Sequence, residues 1–386
     1  DRMGTGMAWV GDLDGDNRDD FIVGADWGSN KVTGAILTGR VYVFGSATGA
    51  PIRNHYGTTR AERFGGDVAA GQDLDLDGVN DYLVGARAAL VSGVAAGSVF
   101  AYSGATGAEL LRIDGNGSNE YFGAAVDFAG DVDGGGTPDV LGGSAGANGG
   151  AGFASVYSGA TGVQIRQIVG DGTEKLGFAV AGPGDVDGDG FADLMIGPPS
   201  AGPSTAGAVT VYSGATGQVI WVFQGAVSRE RLGHTVAGAG DTDGDGVPDL
   251  LVGRELFSAV DLYSGATGAL IRQVTGGSIL GRSMAALGDL AGDGLSRFPP
   301  GHPAAPALGF LYPRRHPVAA GGRRAGETGG FRGRRPPGLD LAARLERPED
   351  GGAAVGLDDI DARHPIDPVE LENLPEALLH REGHRA

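Results

Sequence analysis

Cysteine is absent from the 386 residues, which excludes a disulfide framework and thiol chemistry and leaves the redox compartment open. Lysine is nearly absent too, with two residues against 27 arginines, a balance expected of a GC-rich genome. No apolar run reaches membrane-spanning length, so no membrane-spanning segment is expected. The N-terminus, Asp1-Arg2-Met3-Gly4, is no signal peptide and enters a repeat partway, as a mature or truncated fragment would. No catalytic constellation is present. His55 and His234 stand alone in the first 296 residues, without a nucleophile arrangement beside them, and read as structural or surface residues. Nor do the glycine pairs open a helix after a strand, so no phosphate cradle is indicated.

Positive charge is scarce where it would matter for nucleic acid. The net charge is −19, and residues 295–386 contribute 13 arginines against 13 acids. The whole excess, 16 basic against 35 acidic residues, therefore belongs to residues 1–294. Such a body argues against a nucleic-acid partner and for cation binding. Glycine, by contrast, is abundant at 75 residues, which points to many turns rather than long helices.

The acids are arranged. In GDVDGDGFADLMIG, Asp185, Asp187, Asp189 and Asp193 occupy positions 1, 3, 5 and 9 of a nine-residue loop that runs into an apolar segment. Carboxylates this crowded repel one another unless a cation gathers them, and glycine supplies the tight backbone that lets their oxygens converge. Hard oxygen ligands without nearby His or Cys point to Ca2+ rather than zinc or copper. A single copy could be only an acidic, solvated turn, but the pattern recurs. Asp12, Asp14, Asp16 and Asp20 form the first copy, and Asp73, Asp75, Asp77 and Asp81 the second. The third keeps Asp131, Asp133 and Asp139 but has Gly135 at the fifth position, which puts its occupancy in doubt. Asp241, Asp243, Asp245 and Asp249 form the fifth. A sixth, GDLAGDGLSRF, retains only Asp289 and Asp293. An EF-hand is excluded, because its bidentate acid at position 12 is replaced by Val23, Val84, Ile196 and Val252.

The first aspartates are separated by 61, 58, 54, 56 and 48 residues, a period that signals a repeat architecture. Each loop is preceded by a bulky residue and glycine: Met3-Gly4, Phe64-Gly65, Phe122-Gly123, Leu176-Gly177, Leu232-Gly233, Leu280-Gly281. An apolar run ending in glycine follows the first five loops, then a strand-like segment and a turn such as YSGATG, then a second apolar segment. Each unit reads as four short strands, the pattern of a β-propeller blade. Glu62, Glu120, Glu174 and Glu230 recur two residues before the bulky residue-glycine step, as acids that hold a turn.

These units resemble FG-GAP repeats, the blades of integrin alpha-subunit propellers and of many bacterial surface proteins. Phe64-Gly65 and Phe122-Gly123 carry the first element; Gly24-Ala25, Gly85-Ala86 and Gly197-Pro198-Pro199 carry the second, with Gly142-Gly143 a looser match. The resemblance covers residues 1 to about 296. It implies an all-β fold, a propeller of four-stranded blades, with calcium in the loop joining the first two strands of a blade. Six units are visible and the ring is expected to be incomplete.

At Arg297 the composition breaks. The segment 297–386 is rich in Pro, Arg and Gly, has no strand or helix period and reads as a disordered tail. The sixth loop loses register abruptly at RFPPGHPAAP, so a frame-shifted coding sequence stands beside a genuine tail as an explanation.

Taken together, the chain reads as a non-catalytic, calcium-binding adhesion or ligand-recognition module, extracellular or at the cell surface. The alternative is an accessory substrate-binding domain of a larger secreted enzyme acting on polysaccharide or lipid. The calcium loops and SGATG turns should share one side of the blades. The opposite side carries the variable loops, where recognition of a protein or glycan ligand is expected. Trp27, Asn30 and Lys31, in the longest variable loop, are the contact candidates.

Overall fold

The computed structural model describes residues 3–30, 33, 34, 36–276, 280–282 and 284. Five four-stranded antiparallel sheets follow one another along the chain, each a simple meander and each one blade of a β-propeller. Blade 1 comprises β1 (Met3–Gly11), β2 (Asp20–Ala25), β3 (Arg40–Phe44) and β4 (Pro51–Tyr56). Blade 2 comprises β5 (Phe64–Gln72), β6 (Asp81–Ala86), β9 (Ser98–Tyr102) and β10 (Glu109–Asp114), and a small hairpin, β7 (Leu90–Val91) and β8 (Val94–Ala95), lies between its second and third strands. Blade 3 is β11 (Ala125–Gly130), β12 (Asp139–Ser144), β13 (Phe153–Tyr157) and β14 (Gln164–Val169). Blade 4 is β15 (Ala179–Gly184), β16 (Asp193–Gly197), β17 (Ala208–Tyr212) and β18 (Val219–Gln224). Blade 5 is β19 (Leu232–Gly240), β20 (Asp249–Arg254), β21 (Ala259–Tyr263) and β22 (Leu270–Thr275). The sixth loop, with Asp289 and Asp293, lies outside the described residues, as do the closure of the ring and the tail from Arg297.

The second strands are apolar almost without interruption because both their faces are covered, whereas the fourth strands alternate half-buried and exposed residues. The core is accordingly divided into layers between blades. Ile22, Val41 and Val43 of blade 1 pack against Phe64, Tyr82 and Phe100 of blade 2, and similar layers follow between later blades.

Two joints fix neighbouring blades together. At the first, the step glycines Gly65, Gly123, Gly177, Gly233 and Gly281 all have φ of 78–80°. This backbone suits glycine, and it turns each carbonyl toward the last glycine of the preceding blade's second strand. A Cβ at Gly24, Gly85, Gly143, Gly197 or Gly253 would collide with that carbonyl. The paired glycines of the repeat are thus the two halves of one close contact.

At the second joint, a residue of the fourth strand docks into the SGATG turn of the next blade. Arg53 donates to the carbonyls of Gly104 (2.7 Å) and Ala105 (3.1 Å), and Arg166 to those of Ala215 (3.0 Å) and Thr216 (3.1 Å). Trp221 Nε1 donates to the Gly265 carbonyl at 2.7 Å, and Leu111 lies against Gly162. These four residues share one register, opposite Val43, Ala101, Val156 and Val211. Arg166→Ala removes charge-assisted hydrogen bonds to carbonyls and should cost about 2 kcal/mol in a urea titration. Arg166→Leu, which copies Leu111, should recover part of that loss.

Candidate metal centres

Five acidic loops join the first and second strands of the five blades. In the first four, carboxylate oxygens of positions 1, 3 and 9 lie within 4.8 Å of one another: Asp12, Asp14 and Asp20; Asp73, Asp75 and Asp81; Asp131, Asp133 and Asp139; Asp185, Asp187 and Asp193. In the fifth, the same convergence brings together Asp241, Asp243 and Asp245.

Each aspartate has its own part in shaping the loop. The first closes it: Asp185 Oδ1 accepts the Gly188 N–H at 2.7 Å, and its Oδ2 accepts the Gly190 N–H at 2.9 Å. The third and fifth use Oδ1 on the N–H two residues ahead, as Asp187 does with Asp189 (3.1 Å) and Asp189 with Phe191 (2.9 Å). Asp14, Asp16, Asp75, Asp77, Asp243 and Asp245 repeat this use. One oxygen of each such aspartate holds the backbone and leaves the other for a cation, although Asp189 Oδ2 also accepts the Ser213 hydroxyl at 3.4 Å.

The ninth aspartate does something the sequence pattern did not disclose. Asp20, Asp81, Asp139, Asp193 and Asp249 are fully buried. With one oxygen each accepts the N–H of the loop's second residue, as Asp193 does from Val186 at 2.7 Å. With the other it accepts an N–H of the blade's SGATG-type turn: Ser46, Gly104, Gly159, Gly214 or Gly265, at 2.7–3.1 Å. It therefore ties the acidic loop to the turn between the third and fourth strands, and the two share one side as expected. Burial pushes Asp81, Asp139 and Asp193 up to about 6, against the pull of these N–H groups.

The donor chemistry suits a hard divalent cation. Three carboxylates per loop, with no nitrogen or sulfur ligand, are what calcium prefers. Unit charges about 4 Å apart repel by roughly 1 kcal/mol per pair even in bulk water, and a cation between them reverses the sign. The third loop, despite Gly135, keeps its three aspartates together, and Asp131 Oδ1 is buried without a hydrogen-bond partner. That orphaned acceptor is the strongest sign that the loop's residues still fit an ion. Val23, Val84, Ile196 and Val252, at position 12, are buried strand residues and bring no ligand.

The other sequence candidates separate on inspection. The recurring glutamates hold turns: Glu62 Oε2 accepts the N–H groups of Thr58 (2.7 Å) and Thr59 (2.8 Å), and Glu230 Oε2 those of Ala226 (2.7 Å) and Val227 (3.0 Å). Glu120 and Glu174 accept from Asn116 and Asp171. Asn30 is not a contact residue, which corrects the expectation. Its side chain is buried, donating to the Gly57 carbonyl at 3.1 Å and accepting from the Thr33 N–H. Trp27 is half-buried beneath the Arg63 guanidinium, 3.7 Å from its ring, and Lys31 lies outside the described residues. His55 packs on Tyr102 with Nε2 2.6 Å from the Tyr82 hydroxyl, and burial lowers it to about 4.

Two further carboxylates bridge the first strands of neighbouring blades. Asp67 accepts the Val126 N–H at 2.9 Å, and Asp127 the Gly182 N–H at 3.2 Å. Burial raises Asp67 to about 6 and Asp127 to about 7. An unfolded aspartate titrates near ~3.9, so between about pH 4 and 7 the folded chain holds protons that the unfolded chain releases. In chelator, stability should therefore rise as pH falls from 7.5 to 5, and be lost as pH rises through those values. Asp67→Asn keeps the acceptor and removes the charge. It should raise the melting temperature at pH 7.5 and flatten the pH profile.

Residues 185–252 match the FG-GAP-like repeat family. The integrin alpha-V chain of Gallus gallus is 30% identical over 219 residues, 52% of this chain and 21% of its own length. Integrin alpha-5 of Xenopus laevis is 35% identical over 99 residues, 24% of this chain and 9% of its own. Integrin alpha pat-2 of Caenorhabditis briggsae is 32% identical over 109 residues, covering 26% and 9%. Among solved structures, Saccharomyces cerevisiae Sqt1 aligns with a TM-score of 0.45 at 13% identity, over 71% of this chain and 63% of that one. The chain thus spans between about a tenth and a fifth of the length of these integrin relatives.

Proposed function

We propose that this chain, which matches the FG-GAP-like repeat family over residues 185–252 and resembles integrin alpha propellers, is a calcium-stabilised, non-catalytic adhesion or ligand-recognition module working outside the cell or at its surface. Residues 1–296 would form the propeller and residues 297–386 a separate low-complexity tail. The observation that carries the reading is the repeated convergence of three carboxylates within 4.8 Å in five successive blades. Asp12, Asp73, Asp131, Asp185 and Asp241 would each begin a loop that holds one Ca2+. The third and ninth aspartates would contribute to that site, joined by the fifth where it is present.

Calcium here has a structural task. Its loops and the SGATG turns are short, nearly uniform and tied together by the ninth aspartates, which suits scaffolding. The opposite side carries the loops between second and third strands and the crossovers between blades, whose lengths and sequences differ from blade to blade. Variable loops on a rigid scaffold are the better place for a protein or glycan ligand.

The test is binding of purified chain to arrays of extracellular proteins and glycans, with calcium and with chelator. Trp27→Ala, on the variable side, should lose the partner, and Thr161→Ala, in an SGATG turn, should keep it, with both variants folded by circular dichroism. The reverse outcome puts recognition on the calcium-loop side and overturns the assignment.

A further inference from the structure

On the variable side of blade 5, three basic side chains gather around a single carboxylate. Arg231 Nη1 lies 2.7 Å from Glu255 Oε2, His234 Nε2 lies 3.3 Å from the same oxygen, and Arg282 Nε stands 4.0 Å from Oε1. Glu255 can neutralise one guanidinium, and the site holds two. Arg282 is 64% exposed and Arg231 46%. A guanidinium has five N–H donors in a planar fork matched to carboxylate geometry, and Arg231 commits Nη1 to Glu255. His234 is lowered by burial, so at neutral pH the surplus rests on the arginines. Its Nδ1 is buried and makes no hydrogen bond.

The other charged groups nearby do not cancel this surplus. Arg254 is engaged with Glu230 and Asp261, and Glu230 is itself buried and holding its turn. Arg229, two residues before Arg231, adds a further exposed cation. Around the cluster stand apolar side chains facing solvent: Leu256 and Phe257 in the turn after β20, and Phe178, whose ring centroid is 5.0 Å from that of His234.

The calcium-loop side is the reverse of this. There, the five loops together carry twenty aspartates and one basic residue, Arg18. A cationic spot on an otherwise strongly acidic chain focuses attraction for anions at one place and repels them elsewhere.

We propose that Arg231 and Arg282 form the seat for a carboxylate of an acidic protein segment whose apolar neighbours pack on Phe178, Leu256 and Phe257. The apolar rim favours such a segment over a sulfated glycan, which would offer hydroxyls and sulfates to the same surface. The inference rests on the recognition reading above and specifies its partner's chemistry.

Panning a random dodecapeptide library on the calcium-loaded full chain tests it. Enriched peptides should carry Asp or Glu beside an apolar residue. Fluorescence anisotropy with a labelled synthetic copy should then show binding that weakens with salt. Arg231→Ala with Arg282→Ala should weaken it at least about tenfold, the scale of a lost charge-assisted contact. Arg112→Ala, on the outer strand of blade 2 and paired with Asp114, should leave it unchanged. Glu255→Gln removes the competing carboxylate and should tighten binding, whereas a merely structural cluster would loosen. A charge-neutral or basic consensus, loosening by Glu255→Gln, or arginine-dependent binding of heparin alone would overturn the proposal. If charge-neutral peptides still bind and require Trp27, recognition stands and the anion seat falls. If no peptide, protein or glycan binds the chain, both fall.

Discussion

Withdrawing calcium is expected to lower the melting temperature of this chain by about 20 °C, from the sum of several modest site contributions. A ligand present at 100 times its dissociation constant stabilises the folded state by about 2.7 kcal/mol per site, because the unfolded chain has no preformed loop to bind it. Four or five such sites amount to roughly 10 kcal/mol, and a domain of this size shifts by about 2 °C per kcal/mol. Differential scanning fluorimetry in millimolar calcium and in chelator measures the difference directly. A titration followed by elemental analysis should count five ions per chain and about four in Asp187→Ala, which removes a ligand without touching the buried staple at Asp193. A melting curve indifferent to calcium would falsify the assignment of these loops.

The second large effect belongs to the blade joint. Gly197→Ala places a methyl group against the Gly233 carbonyl of the next blade, at a contact between two backbones that cannot swing aside. Overpacking of this kind should cost at least about 3 kcal/mol in chemical unfolding and expose apolar surface between blades 4 and 5. Gly172→Ala is the control. That glycine lies in a crossover with nothing within 4 Å of an added Cβ and no left-handed backbone, so the change should stay within about 0.5 kcal/mol.

The sequence announces these blades because three of their requirements recur in fixed order: carboxylates at odd positions, a step glycine with left-handed backbone, and a glycine where two backbones meet. Each is a demand on one residue type, so each leaves a periodic trace. Glu62 and its counterparts were legible for the same reason, since an acid three or four residues after a turn's N–H groups can reach back to them. The ninth aspartates were read only as candidate ligands. Their second partner lies 16 to 26 residues further on and is a backbone N–H, which carries no side-chain signature.

The docking residues were hidden differently. Arg53, Leu111, Arg166 and Trp221 include three residue types and no single pattern, and what repeats is the turn they fill. Asn30 was misplaced because a long variable loop suggested exposure, whereas its amide is turned inward, onto the Thr33 N–H of the same loop and the Gly57 carbonyl just after β4.

The glycine joint has a consequence for how such a chain changes over generations. Every blade presents the same socket to its successor and the same plug to its predecessor, as in Gly85 against Gly123 and Gly143 against Gly177. Nothing in the contact depends on which two units meet. A segment cut at equivalent points of two successive units, for example from Gly65 to just before Gly123, removes one plug and one socket together and leaves matching ends. Duplication or deletion of whole units therefore preserves every remaining joint, while a deletion of any other length misaligns all that follow. The joint itself therefore sets no blade number, and it tolerates changes made in steps of one whole unit.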